Sequence, residues 1–108
     1  MTDNQIKIES IRASFPIWEA KLENSIKSNN FSAARRMLKN FYSADCLGFD
    51  GHIEPTREAK NAYLRALQDL SSYEGVVHQR VPLGRVLSIQ SRAICSGLRY
   101  INFIRLTF

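Results

Sequence analysis

Apolar residues recur at steps of three and four in three separate runs over the first 75 positions, and this spacing commits most of the 108-residue chain to packed helices. The first run is Ile8, Ile11, Phe15, Trp18, Leu22 and Ile26. Pro16 falls inside it, where a proline removes one hydrogen bond and crowds the preceding turn. The expectation is a kinked helix, or a short segment followed by a helix that Ser14 caps. Asn29 and Asn30 then supply a stop and a fresh cap. The second run (Phe31, Ala34, Met37, Leu38, Phe41, Tyr42) predicts a helix over 31–44, with Arg35, Arg36 and Lys39 facing away. The two helices should form an antiparallel αα-hairpin. The spacing from Trp18 to Ala34 resembles one tetratricopeptide unit, but the glycine and tyrosine positions of that repeat are unmatched and no second copy follows. It is treated as ordinary helix packing.

Residues 45–55 read as a loop punctuated by Gly48, Gly51 and Pro55. A third helix is expected from Pro55 or Thr56, with Thr56 as cap and Ala59, Ala62, Tyr63, Ala66, Leu67 and Leu70 as its stripe. Gly75 offers a stop after Tyr73.

After Gly75 the composition changes. Up to that residue ten basic and ten acidic side chains cancel; from Val76 to Phe108 there are five arginines (Arg80, Arg85, Arg92, Arg99, Arg105) with no lysine and no acid, so the whole net charge of +5 resides there. Val, Ile, Phe, Tyr and Thr replace the helix formers Ala, Glu and Lys. VVHQRV reads as a strand ended by Pro82 and Gly84. A two-residue turn at Ser96-Gly97 would pair Cys95 with Leu98, Ala93 with Tyr100, Ile89 with Ile104 and Leu87 with Leu106 on one mostly apolar face. The other face would present Arg92, Arg99 and Arg105 among Ile94, Ile101 and Phe103. A helical stripe of Leu83, Val86, Leu87, Ile94, Leu98 and Ile101 is the competing reading, with Arg85, Arg92 and Arg99 at seven-residue steps opposite. It places Gly97 in a helix interior, at about 1 kcal/mol relative to alanine, and leaves Tyr100, Phe103 and Leu106 off the stripe. The hairpin is therefore preferred. The same bias toward Arg, Ser, Leu and Ile also arises when a reading frame is shifted or fused, and such a segment would have no shaped surface.

The expected fold is thus α+β in a single domain: a helical, charge-neutral body over 1–75 and a basic, strand-rich tail over 76–108, forming an antiparallel β-hairpin or a three-stranded meander. An apolar fraction of 44% and a charged fraction of 23% suit one globular unit with its own core. The N-terminus carries acid early, and no stretch approaches the roughly 18 apolar residues of a spanning helix, so a cytoplasmic protein without a membrane partner is expected. Cys46 and Cys95 form neither a disulfide framework nor a C-x-x-C pair and are expected to be buried free thiols.

No motif compels a reaction. Asp45, Cys46, Asp50, His52 and Glu54 crowd one loop, but their spacing matches neither a calcium loop nor a zinc pattern, and Asp and Glu beside Gly usually form turns and caps. No metal and no cofactor are expected. His52 and His78 are the only histidines available as general bases. Small ribonuclease toxins place Arg, Tyr and His on a C-terminal antiparallel sheet, and His78, Arg80, Arg92, Arg99 and Tyr100 are of those types; this third reading rests on fold-level analogy.

The basic segment carries the leading expectation: a small non-enzymatic binding or regulatory protein that engages nucleic acid, or else an acidic protein surface. Arg80, Arg85, Arg92, Arg99 and Arg105 would grip phosphate or carboxylate, with Tyr100 and Phe103 as stacking groups among them. The bland counterpart is that the arginines only keep an edge hairpin soluble. The alternative is a helical protein–protein interaction module, an inhibitor or adaptor, working through the αα-hairpin with Arg35, Arg36 and Lys39 as its rim.

Overall fold

The computed structural model describes residues 2–43 and 56–107. Among these residues there are four helices and no strand: α1 (Asp3–Lys27), α2 (Phe31–Ser43), α3 (Arg57–Val77) and α4 (Leu83–Thr107). The helical body agrees with the three apolar runs; the α+β expectation does not hold, because residues 83–107 form one continuous helix instead of a hairpin or meander.

Local chemistry sets most of the helix ends. Thr2 and Gln5 close a reciprocal capping box on α1, the Gln5 N–H donating to Thr2 Oγ1 at 3.3 Å and the Thr2 N–H to Gln5 Oε1 at 3.0 Å. Pro16 lies within α1, which runs through it as a single helix, and Ser14 is no cap: its hydroxyl donates to the Ile11 carbonyl at 2.7 Å. Asn29 takes the left-handed conformation (φ 60°) that ends the chain's first helix, and Asn30 caps the next through Ala33 N–H. Thr56 caps α3 by accepting from Ala59 N–H at 3.2 Å. Gly75 does not stop α3, which continues through Val76 and Val77, and residues 78–80 form a turn, so the run 76–81 read as a strand is not one. Pro82 opens α4, its carbonyl accepting from the N–H groups of Arg85 and Val86.

The helices run up-down-up-down, each packing against its sequence neighbour and α4 closing back on α1. Phe15 stacks with Phe41 between α1 and α2 at 5.9 Å, while Tyr42 stacks on Tyr63 between α2 and α3 at 4.5 Å. Tyr63 meets Tyr100 of α4 at 5.3 Å, extending the aromatic contacts through the bundle. The Tyr73 hydroxyl donates to Asn29 Oδ1 and accepts from Gln90 Nε2, so one phenol joins the α1–α2 turn, α3 and α4. Ala59, Ala62 and Ala66 give α3 a low ridge on which α4 lies close.

The reason α4 is a helix is visible in its buried positions. Ala93, Ile94, Gly97, Tyr100, Ile101 and Ile104 form its inner stripe, offset from the one read in the sequence; Leu83 and Leu87 are 73% and 50% exposed, whereas Tyr100 is wholly enclosed. Gly97 faces Leu22 of α1, and a Cβ there would stand 2.9 Å from Leu22 Cδ2. The glycine that argues for a turn in the sequence is required by the approach of two helices. Its cost of about 1 kcal/mol is small against the 1.5–3 kcal/mol that full burial of each large apolar side chain contributes. A lone hairpin would also have left two open edges.

Two outcomes test this packing. Gly97→Leu should destabilise the fold by about 1–3 kcal/mol, read as a lower urea midpoint with an unchanged slope; an unaltered midpoint would show that α1 and α4 do not meet at this residue. Burial, and then the neighbouring Tyr42, raise the Tyr63 hydroxyl above its ordinary pKa of 10.0. Ionisation then favours the unfolded chain once pH passes the unfolded value, so stability should fall through the alkaline range above about 10, and less steeply in Tyr63→Phe.

Candidate nucleic-acid interface

Seven residues make nearly two helical turns, so Arg85, Arg92 and Arg99 rise along one side of α4 at intervals of about 10.5 Å. All three are exposed, and none is ion-paired among the described residues. They border the outer groove between α3 and α4. Arg92 and Arg99 line a hollow of about 550 Å³ together with Arg65, Asp69, Ser96 and Phe103. Arg85 and Arg92 line a second, of about 370 Å³, toward the α3–α4 turn. Arg92 and Asp69 belong to both, making the groove continuous.

Asp69 is the one buried charged residue among those described, at 6% exposure. Its Oδ2 accepts from the Ser96 hydroxyl of α4 and from Arg65 Nε one turn back on α3, the latter at 3.2 Å. The carboxylate therefore joins the two walls of the groove and holds Arg65 at the rim by one nitrogen, leaving that side chain 64% exposed. Its negative charge is met by the Ser96 hydroxyl inside the wall and by Arg65 at the rim. The groove presents four guanidiniums, with Glu58 as the exposed acid at its far end.

The other predicted binding residues are dispersed. Arg80 is exposed in the turn before α4. Arg105 pairs with Glu19 of α1 at 3.2 Å and ties the last turn of α4 to the bundle. Tyr100 belongs to the core, which corrects its reading as a stacking group; Phe103, half-buried, lines the larger hollow. Arg35 pairs with Glu74 of α3 and so joins helices, while Arg36 and Lys39 are exposed on α2. Cys95 is a free thiol on the surface, contrary to its expected burial. The crowded loop of Asp45, Cys46, Asp50, His52 and Glu54 lies outside the described residues. No cluster of metal-binding side chains occurs among the described residues, and no described helix is long and apolar enough to cross a membrane.

The ribonuclease analogy required an antiparallel sheet, and the described residues contain none. Its residues do not converge either: Tyr100 is buried, and His78 ends α3 at the opposite end of the hairpin from Arg99.

Arg65, Asp69 and Ser96 were not among the predicted site residues. A signal for Asp69 existed, since an acid on the inner side of an alanine-rich stripe needs a polar partner when buried, but its partner lies 27 positions away. Ser96→Ala should cost about 1.5–3 kcal/mol because it leaves a buried carboxylate short of a donor. Arg65→Ala should cost less, about 1 kcal/mol, because the Arg65 side chain is itself 64% exposed. Equal losses in chemical denaturation would contradict this division of roles. The chain matches no protein-family model, no curated protein and no solved structure.

Proposed function

We propose that this is a small binding protein whose α3–α4 face docks a polyanion, nucleic acid in the first place, through Arg65, Arg85, Arg92 and Arg99. The observation that carries this reading is a row of three exposed arginines, none ion-paired among the described residues, along a groove whose buried Asp69 already accepts from Ser96 and Arg65. Arginine suits the role because its planar fork of donors meets phosphate oxygens in pairs and stays charged at any physiological pH. The row on α4 faces no acid from its own helix, since residues 76–108 contain none. Long-range attraction to a phosphate chain is thus built into one side of the bundle.

A second reading, a helical protein-interaction module, has its own support. Leu83 and Leu87 lie exposed one turn apart at the start of α4, and Arg36 and Lys39 remain exposed on α2. An acidic polypeptide would compete for the arginine row by the same charge.

Salt dependence separates these readings. Four phosphate contacts to a single strand imply a slope of log affinity against log salt of about −3. Anisotropy of a labelled oligonucleotide between about 50 and 200 mM salt should follow that slope, and Arg92→Ala/Arg99→Ala should make it shallower by about 1.4 while the far-ultraviolet helical signal is retained. A flat dependence, or an unchanged slope in the double variant, overturns the nucleic-acid reading. Equal displacement by polyglutamate assigns the surface to acidic protein instead.

A further inference from the structure

We infer that the larger hollow seats a terminal phosphate monoester between Arg65 and Arg99, so that the groove reads the phosphorylated end of a single strand; this rests on the polyanion reading above. The hydrogen bond from Ser96 to Asp69 sets those two residues level across the groove. Because α3 and α4 run antiparallel, Arg99, one turn further along α4, stands opposite Arg65, one turn back along α3. Both arginines line the hollow of about 550 Å³ and both are exposed, so guanidiniums from two helices reach one ligand there. Asp69, 6% exposed, already accepts from Ser96 and from Arg65 Nε, which lessens its repulsion of an anion.

The charge along the groove is open at one end and closed at the other. Toward the α3–α4 turn, Arg92 and Arg85 follow Arg99 at two-turn steps, a track of about 21 Å, and Arg80 is exposed in the turn beyond. Residues 76–108 contain no acid. In the other direction the row stops at Arg99, because Arg105, next along α4, is paired with Glu19 of α1. Glu58, two turns back from Arg65 on α3, is exposed on the lining of the same hollow. A strand laid along the arginines and continued past Arg99 brings its next phosphates toward Glu58, and like charges repel. A strand that terminates at the hollow avoids that acid. Its terminal monoester carries about −1.5 to −2 at pH 7, more than an internal diester, and offers three acceptor oxygens to the two arginines.

The test uses the full chain and three 12-nucleotide single strands of one sequence, carrying a 5′-phosphate, a 3′-phosphate or neither. Each is labelled on an internal base and read by anisotropy at low salt. At least one phosphorylated strand should bind about tenfold more tightly than the unphosphorylated one, the worth of one added charge-assisted hydrogen bond. Arg65→Ala should bring the three affinities to within about twofold of one another while the far-ultraviolet helical signal is retained. A preference that persists undiminished in this variant overturns the inference, since the monoester would then be held elsewhere. Equal affinity for all three strands, still lowered by Arg92→Ala/Arg99→Ala, overturns the end-reading inference and leaves the polyanion reading standing. Absence of binding to every strand overturns both. Adenosine monophosphate, which cannot reach Arg92 and Arg85 together with the hollow, should displace the phosphorylated strand only at about a hundredfold the concentration that unlabelled strand requires. Displacement at equal concentrations overturns the inference and assigns the hollow to a free nucleotide.

Discussion

The approach of α1 to α4 at Leu22 and Gly97 is the contact on which the architecture depends. It closes the ring of four helices, bringing the last helix back to the first. Leu38 of α2 also approaches Gly97, and both leucines are almost wholly buried. A side chain at Gly97 would crowd Leu22, so either this leucine must shift or the helices must part, and larger side chains leave less room for the first. Three polar ties outside the core hold neighbouring helices in register: Arg35 to Glu74, Ser96 to Asp69, and Arg105 to Glu19. The first and third are partly solvated and add little energy; the second is enclosed and contributes more.

These ties also decide which charges remain for a partner. Of the cationic residues singled out in the sequence, Arg35 and Arg105 are engaged in joining helices. Among the described residues Arg85, Arg92 and Arg99 are in no ion pair, and they are exposed along the groove. Asp69 fastens the groove walls, and its Oδ2 is already engaged by Ser96 and Arg65, while Glu58 remains an exposed acid on the α3 side.

The three N-terminal helices were legible because their information is local. Apolar spacing of three and four, Thr56 before a helix, and paired asparagines in a tight turn each act within a few residues. The segregation of charge after Gly75 was equally legible, being a matter of counting. What misled the reading of the last third was also local: β-branched and aromatic residues, and a glycine after a serine, favour a hairpin when judged alone. Tyr100 was read as a stacking group because it adjoins Arg99 in the chain, although the hairpin pairing itself set it on the apolar face, and in the helix it is wholly enclosed.

By itself, then, the sequence determined an amphipathic helical body, neutral in charge, followed by a cationic segment with arginine at heptad intervals. Only tertiary structure decided that this segment is a helix, that Tyr100 faces inward while Phe103 borders the groove, and that Asp69 meets Ser96. The physical reason is that a residue's cost depends on its neighbour in space. Gly97 is unfavourable in an isolated helix and necessary in one pressed against Leu22, a residue 75 positions earlier that no local rule consults.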